Sequence, residues 1–236
     1  MKMPTYQVRF SYALFAAITA LAVFVMLAGR TWWKPAVMPA TTVASLSFLA
    51  AAQAAGALGT RYGRLVLVGL AFCALGDLVG PQDFYLGMYA FLIAHFVFVP
   101  AFLIRARTAP AGGRQVAGAL LVTAVVTVAL AVFWLGPYLP AEHRLSVLIY
   151  VGVLAAMVVV ALAVRLDEPG PRLAAGGAVL FYISDIFIAN WKYVITESWN
   201  AYLAYPLYYT ACLLLAASVT EGRRRASGNR RAGGAS

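Results

Sequence analysis

Apolar residues run along this chain in eight long stretches, at about 10–28, 36–55, 64–80, 84–104, 116–135, 145–164, 173–191 and 200–219. Each approaches the ~20 residues that a helix needs to cross hydrocarbon. Short breaks carry turn and helix-stop residues: Lys34-Pro35, Gly59-Thr60-Arg61, Gly80-Pro81, Pro110-Ala111-Gly112-Gly113, Gly136-Pro137 and Pro169-Gly170-Pro171. Aromatic residues gather at segment ends, as at Trp32, Trp33, Trp134, Tyr138, Trp191 and Trp199, where rings favour the headgroup level. The pattern predicts an all-α, polytopic membrane helix bundle with eight transmembrane helices. Residues 1–219 form a single transmembrane bundle domain, and 220–236 a basic tail expected to be disordered.

Composition sharpens this picture. The chain is 63% hydrophobic and 11% charged, too few charges to cover a soluble surface. The formal charge of +10 raises the question of nucleic acid, but the basic residues stand in loops and the tail, so no nucleic-acid partner is expected. Of the 18 Lys and Arg residues, only Arg30, Lys34, Arg144 and Lys192 fall on the other side of the bundle from the N-terminus and tail. That asymmetry places both termini in the cytoplasm, in a multi-pass protein of the cell membrane. Lys2 and Arg9 precede the first apolar run as in a signal peptide, but no small-residue cleavage site follows, so it reads as a retained span. Cys73 and Cys212 lie inside apolar runs and read as small core residues.

Candidate chemistry begins with two acids. Asp77 follows Phe72 and Gly76 as Phe-x-x-x-Gly-Asp, and Asp185 follows Phe181 and Ser184 as Phe-x-x-Ser-Asp, so an aromatic and a small residue precede each acid. Asp77 lies 13 residues after Arg64 and Asp185 lies 13 after Arg172, so at 1.5 Å per residue both stand roughly 20 Å into their helices. Four helices per half suggests a weak four-plus-four parallel repeat. Ionisable residues inside a span are costly and mark functional sites by default. Two carboxyl groups at one depth suit a general acid and a general base; unrelated interhelical polar contacts are the plainer alternative. His95 either orients Asp77, relays a proton, or packs. Asn190 and Lys192 follow Asp185 towards the outer end, and Lys192 either meets a phosphate or snorkels to the interface. Lys34 faces the same choice. Ser184 is a close partner for Asp185. Tyr202, Tyr205 and Tyr209 fall on one face of the last helix, where they pack or bring a hydroxyl to a carboxylate. No serine-hydrolase elbow, zinc motif, P-loop or dinucleotide fingerprint is present, and neither metal nor organic cofactor is expected.

Several short motifs recur in order: the Gly76-Asp77 helix, the run Phe-x-x-Gly-x-x-x-Phe-x-x-x-His from Phe84 to His95, the Ser184-Asp185 helix, Tyr-Tyr-x-Ala at Tyr208–Ala211 and the Lys34-Pro35 pair. Over about residues 10–219 the chain resembles the lysoplasmalogenase family of eight-span membrane proteins, the YhhN-like group. Cys212 stands where that family's pattern leads us to expect glutamine. The resemblance implies hydrolysis of the vinyl ether bond of lysoplasmalogens to a fatty aldehyde and a glycerophospho-base, with Asp77 and Asp185 catalytic. The partners it implies are a lysophospholipid substrate, water and membrane lipid. A vinyl ether hydrolyses through protonation at carbon and an oxocarbenium ion, which fits the two-carboxylate logic of glycoside hydrolysis. The rival class is a proton-coupled membrane transporter that uses Asp77, Asp185 and His95 as a relay.

Overall fold

A computed structural model describes residues 5–220. Within them eight helices are long and apolar enough to span a membrane. They are α1 (Thr5–Thr31), α2 (Val37–Ala54), α3 (Arg61–Val79), α4 (Phe84–Thr108), α5 (Gly113–Val128), α6 (Arg144–Leu162), α7 (Pro169–Ala189) and α8 (Trp199–Ser218). Two of them end in π-helical turns, α5 at Ala129–Leu135 and α7 at Asn190–Val194. Such turns recur at functional sites. The chain is thus an all-helical, multi-pass membrane protein. The basic tail expected over 220–236 falls outside the described residues beyond Thr220.

Local chemistry explains the helix starts. Thr60 caps α3 by accepting the Gly63 amide at 2.9 Å, and Asp83 caps α4 by accepting the Tyr85 and Leu86 amides at 2.9 and 3.1 Å. The Pro169-Gly170-Pro171 stretch, expected as a break, forms the first turn of α7. Proline is tolerated there because the first amides of a helix have no intrahelical acceptor.

Helices α2, α3, α4, α6, α7 and α8 form a closed ring of neighbours. Helix α1 packs on α2 and α8, and α5 packs on α6 from outside. The ring keeps its order when α1–α4 are exchanged for α5–α8, which supports, as our inference, the four-plus-four duplication; the packing of α1 on α8 has no counterpart of similar extent between α5 and α4. The tightest pairs are the hairpins α3–α4 and α7–α8. In the first, a Cβ on Gly76 would stand 2.6 Å from the Phe91 ring, and one on Gly87 2.6 Å from the Gly80 Cα. Close backbone approach through small residues is the usual way membrane helices gain contact, since lipid is as apolar as the side chains.

Eight consecutive spans put both ends of the bundle on one side. Contacts there confirm that the ends meet: the Tyr12 hydroxyl donates to the Leu213 carbonyl at 2.9 Å, and Tyr62 and Ser218 share a hydrogen bond at 2.6 Å. The loops after α4 and α6 are also joined, by Ala111 N–H to the Ala163 carbonyl at 2.9 Å and Arg165 N–H to the Ala109 carbonyl at 3.0 Å. The charge asymmetry assigns this side to the cytoplasm as an inference. A tag after Ser236 should resist labelling from outside intact cells and become reactive on lysis. Labelling in intact cells would reverse the orientation.

Candidate active site

Both acids fall at one level of the bundle. Each is sixteen residues past the first residue of its helix, Asp77 in α3 and Asp185 in α7. The two side chains line one cavity of about 700 Å³, within the size range of small-molecule sites. Its walls come from the later parts of α1, α3, α5 and α7 and the earlier parts of α2, α4, α6 and α8. It therefore lies toward the side opposite the termini. The π-helical ends of α5 and α7 both contribute, through Leu130, Trp134 and Leu135, and through Trp191, Lys192 and Tyr193. Most of the lining is apolar; the charged residues among it are Arg30, Asp77, Asp185 and Lys192.

Asp77 is held from two neighbouring helices. Ser45 Oγ of α2 stands 2.6 Å from Asp77 Oδ2. From α8, the Tyr208 and Tyr209 hydroxyls donate to the same oxygen at 2.9 and 3.4 Å. Asp185 is held in the corresponding way by α6 and α4. The Tyr150 hydroxyl donates to Asp185 Oδ2 at 2.7 Å and lies 3.1 Å from His95 Nε2, which is itself 3.6 Å from Oδ2. Exchange of the two halves carries α2 to α6 and α8 to α4, so the support of one acid maps onto the support of the other.

His95 was expected to orient Asp77 or relay a proton, from the cavity wall or one turn below it. It is fully buried, is not among the cavity-lining residues, and reaches Asp185 directly and through Tyr150. The Phe181 ring meets its imidazole edge-on at a centroid distance of 4.8 Å. Its Nδ1 is buried without a hydrogen-bond partner, so the ring proton belongs on Nε2, where Tyr150 can accept it. Ser184 lines the cavity, but its hydroxyl donates to the Phe181 carbonyl at 2.7 Å. Lys192 lines the cavity mouth with Nζ 4.6 Å above the Phe84 ring. Like His95, Asn190 and Lys34 take no part in the lining. Asn190 is buried and donates to Asn200 Oδ1 at 2.8 Å, which fastens the α7–α8 connection. Lys34 is exposed in a short 3-10 turn ahead of α2.

The family profile of the YhhN family matches residues 29–219. The chain belongs to that family. It is 34% identical over 208 residues to a protein of Mycobacterium tuberculosis named lysoplasmalogenase, covering 84% of this chain and 74% of the relative. It is 33% identical over 171 residues to bovine lysoplasmalogenase TMEM86A, covering 67% of this chain and 66% of the relative. The human protein of that name is 30% identical over 167 residues, with the same coverage. No solved structure matches.

Three residues of this YhhN-family site escaped the sequence reading. Tyr150 is the lone aromatic residue of α6, and that isolation in an aliphatic helix was its only signal. Ser45 follows Thr41 by four residues in α2, a polar pair on one helix face. Arg30 read as a loop charge, but it belongs to the last turn of α1 and lines the cavity. Tyr150→Phe should lower stability in detergent by about 1.5–3 kcal/mol, the worth of a hydrogen bond to a charged group. Tyr138→Phe, at an exposed position, should change it little. Equal melting of Tyr150→Phe and the wild type would show that the hydroxyl does not hold Asp185.

Proposed function

We propose that this protein is an integral cell-membrane lysoplasmalogenase, hydrolysing the vinyl ether bond of lysoplasmalogens to a fatty aldehyde and a glycerophospho-base. The observation that carries the reading is the pair of carboxyl groups on one largely apolar cavity, each fixed by side chains of two neighbouring helices. Family membership and the names of the relatives agree with it.

We assign the two roles from the hydroxyl groups around each acid. Ser45 has one hydroxyl proton and two acceptors in reach, the Thr41 carbonyl at 3.0 Å and Asp77 Oδ2 at 2.6 Å. When that proton goes to Thr41, a proton on Asp77 would fill the short contact, and in this reading Asp77 is the general acid. Around Asp185 the order is reversed: His95 Nε2–H points to Tyr150, whose own proton points to Oδ2. That arrangement suits a carboxylate.

In the first step Asp77 protonates the vinyl carbon remote from the ether oxygen, and an oxocarbenium ion forms. The Asp185 carboxylate supports that cation and takes a proton from the water that attacks it, which gives a hemiacetal. In the collapse, Asp185 returns its proton to the departing glycerol oxygen while the hemiacetal hydroxyl reprotonates Asp77. The carbon–oxygen bond breaks and both acids regain their starting states. Tyr208, Tyr209 and Ser45 position Asp77, and His95 and Tyr150 support Asp185, while the Ser184 hydroxyl is turned to the Phe181 carbonyl. Lys192, which lines the cavity and follows Asp185 by seven residues, about 10 Å along a helix, is placed to meet the headgroup.

Proton-coupled transport is the second reading, and the buried His95–Tyr150–Asp185 chain is the observation in its favour. Aldehyde release by purified protein in detergent, with no gradient, separates the two. Asp77→Asn and Asp185→Asn should each lower that release by about 10²–10⁴-fold, the usual worth of a general acid or base, in protein that still inserts and folds. Near wild-type turnover in either folded variant would remove that acid from the mechanism.

A further inference from the structure

Arg30 presents an unsatisfied cation to the cavity. It lies in the last turn of α1 and is part of the lining. Nη1 donates to the Tyr205 hydroxyl at 3.2 Å, while the guanidinium carbon lies 4.3 Å from the centroid of the Trp191 ring and 5.8 Å from that of Tyr205. These contacts fix the plane of the guanidinium. No carboxylate among the described residues forms a salt bridge with it, and its Nε is buried without any hydrogen-bond partner. A buried N–H without an acceptor is costly. The missing group is an acceptor, and a guanidinium fork matches the paired oxygens of a phosphate. Lys192, next in sequence to the Trp191 that stacks on Arg30, adds a second cation to the same cavity.

We propose that Arg30 is the phosphate-recognising residue of the site and restricts it to lysolipids that carry a phosphodiester, against neutral ether glycerols. A single-sided anchor at the membrane interface would explain the ring stacking but not the buried, unpartnered Nε. The proposal rests on the lysolipid reading above and identifies the part of the substrate that sets selectivity. Arg30 contacts the headgroup, away from the carbon that is protonated, so its loss falls on binding.

The test uses binding and turnover together. A 1-alkyl lysophospholipid, a saturated ether with no vinyl bond to cleave, is titrated against the purified protein beside the corresponding 1-alkylglycerol. The wild type should hold the phospholipid at least tenfold more tightly than the glycerol. Arg30→Gln should remove that difference and leave alkylglycerol binding unchanged. Arg30→Lys, which keeps the charge but not the fork, should fall between the two and provides a second variant if the first does not fold. With lysoplasmalogen, Arg30→Gln should raise KM about tenfold or more and leave kcat within a few-fold. Equal binding of the two lipids by the wild type, or unchanged selectivity in the variants, would overturn the proposal. Selective binding without any aldehyde release would retain Arg30 as a phosphate site and reject the hydrolase reading instead.

Discussion

A carboxyl group inside an apolar bundle must find partners from within the protein, because water is scarce and each unsatisfied polar group costs several kcal/mol. Two such groups govern the middle of this structure. Asp77 needs hydroxyls from α2 and α8; Asp185 needs Tyr150 from α6 and His95 from α4. Those requirements tie six helices together at one depth, and the same six form the ring. The helices outside the ring, α1 and α5, place no partner on either acid. They close the cavity with Met26 and Arg30 on one flank and Leu130 and Trp134 on the other.

The small residues ahead of the acids serve the same end. Gly76 lets the Phe91 ring approach α3, and Phe91 in turn packs edge-on against Tyr208 at a centroid distance of 5.7 Å. Tyr208 is the donor to Asp77. In the second half, Gly177 brings α7 close to Leu215 and the Ala211 carbonyl of α8, and Phe181 reaches both His95 and Tyr208. Phe181 thus stands between the two acid environments and fixes the donors of each. The small residue and the aromatic near the acids thus have a physical meaning: Gly76, directly before Asp77, admits the Phe91 ring, and Phe181, one turn before Asp185, packs behind the donor groups.

The spans were legible because an apolar run of sufficient length has one stable form in lipid, a helix. Asp77 and Asp185 were legible because a carboxyl group in such a run contradicts its surroundings. Pairings across the ring were not. His95 belongs with Asp185 because α4 packs on α6, and no local pattern records that neighbour. Tyr150 and Ser45 carry uncharged hydroxyls that blend into apolar helices, and their value appears only when an acid faces them. Arg30 was hidden for a different reason: a basic residue beside Trp32 and Trp33 reads as an interface marker, while the helix extends to Thr31 and turns the side chain onto Trp191. Asp83 is exposed in the loop and also caps α4.

The central claim is that one fixed carboxyl group delivers a proton to carbon from one face of a bound vinyl ether. The direct measurement is hydrolysis of lysoplasmalogen in D₂O, with the aldehyde trapped by reduction as it forms. The account predicts one deuterium on the carbon next to the former carbonyl, in a single configuration, with a normal solvent isotope effect on turnover. Deuterium in both configurations, or none at that carbon, would contradict protonation by a positioned acid.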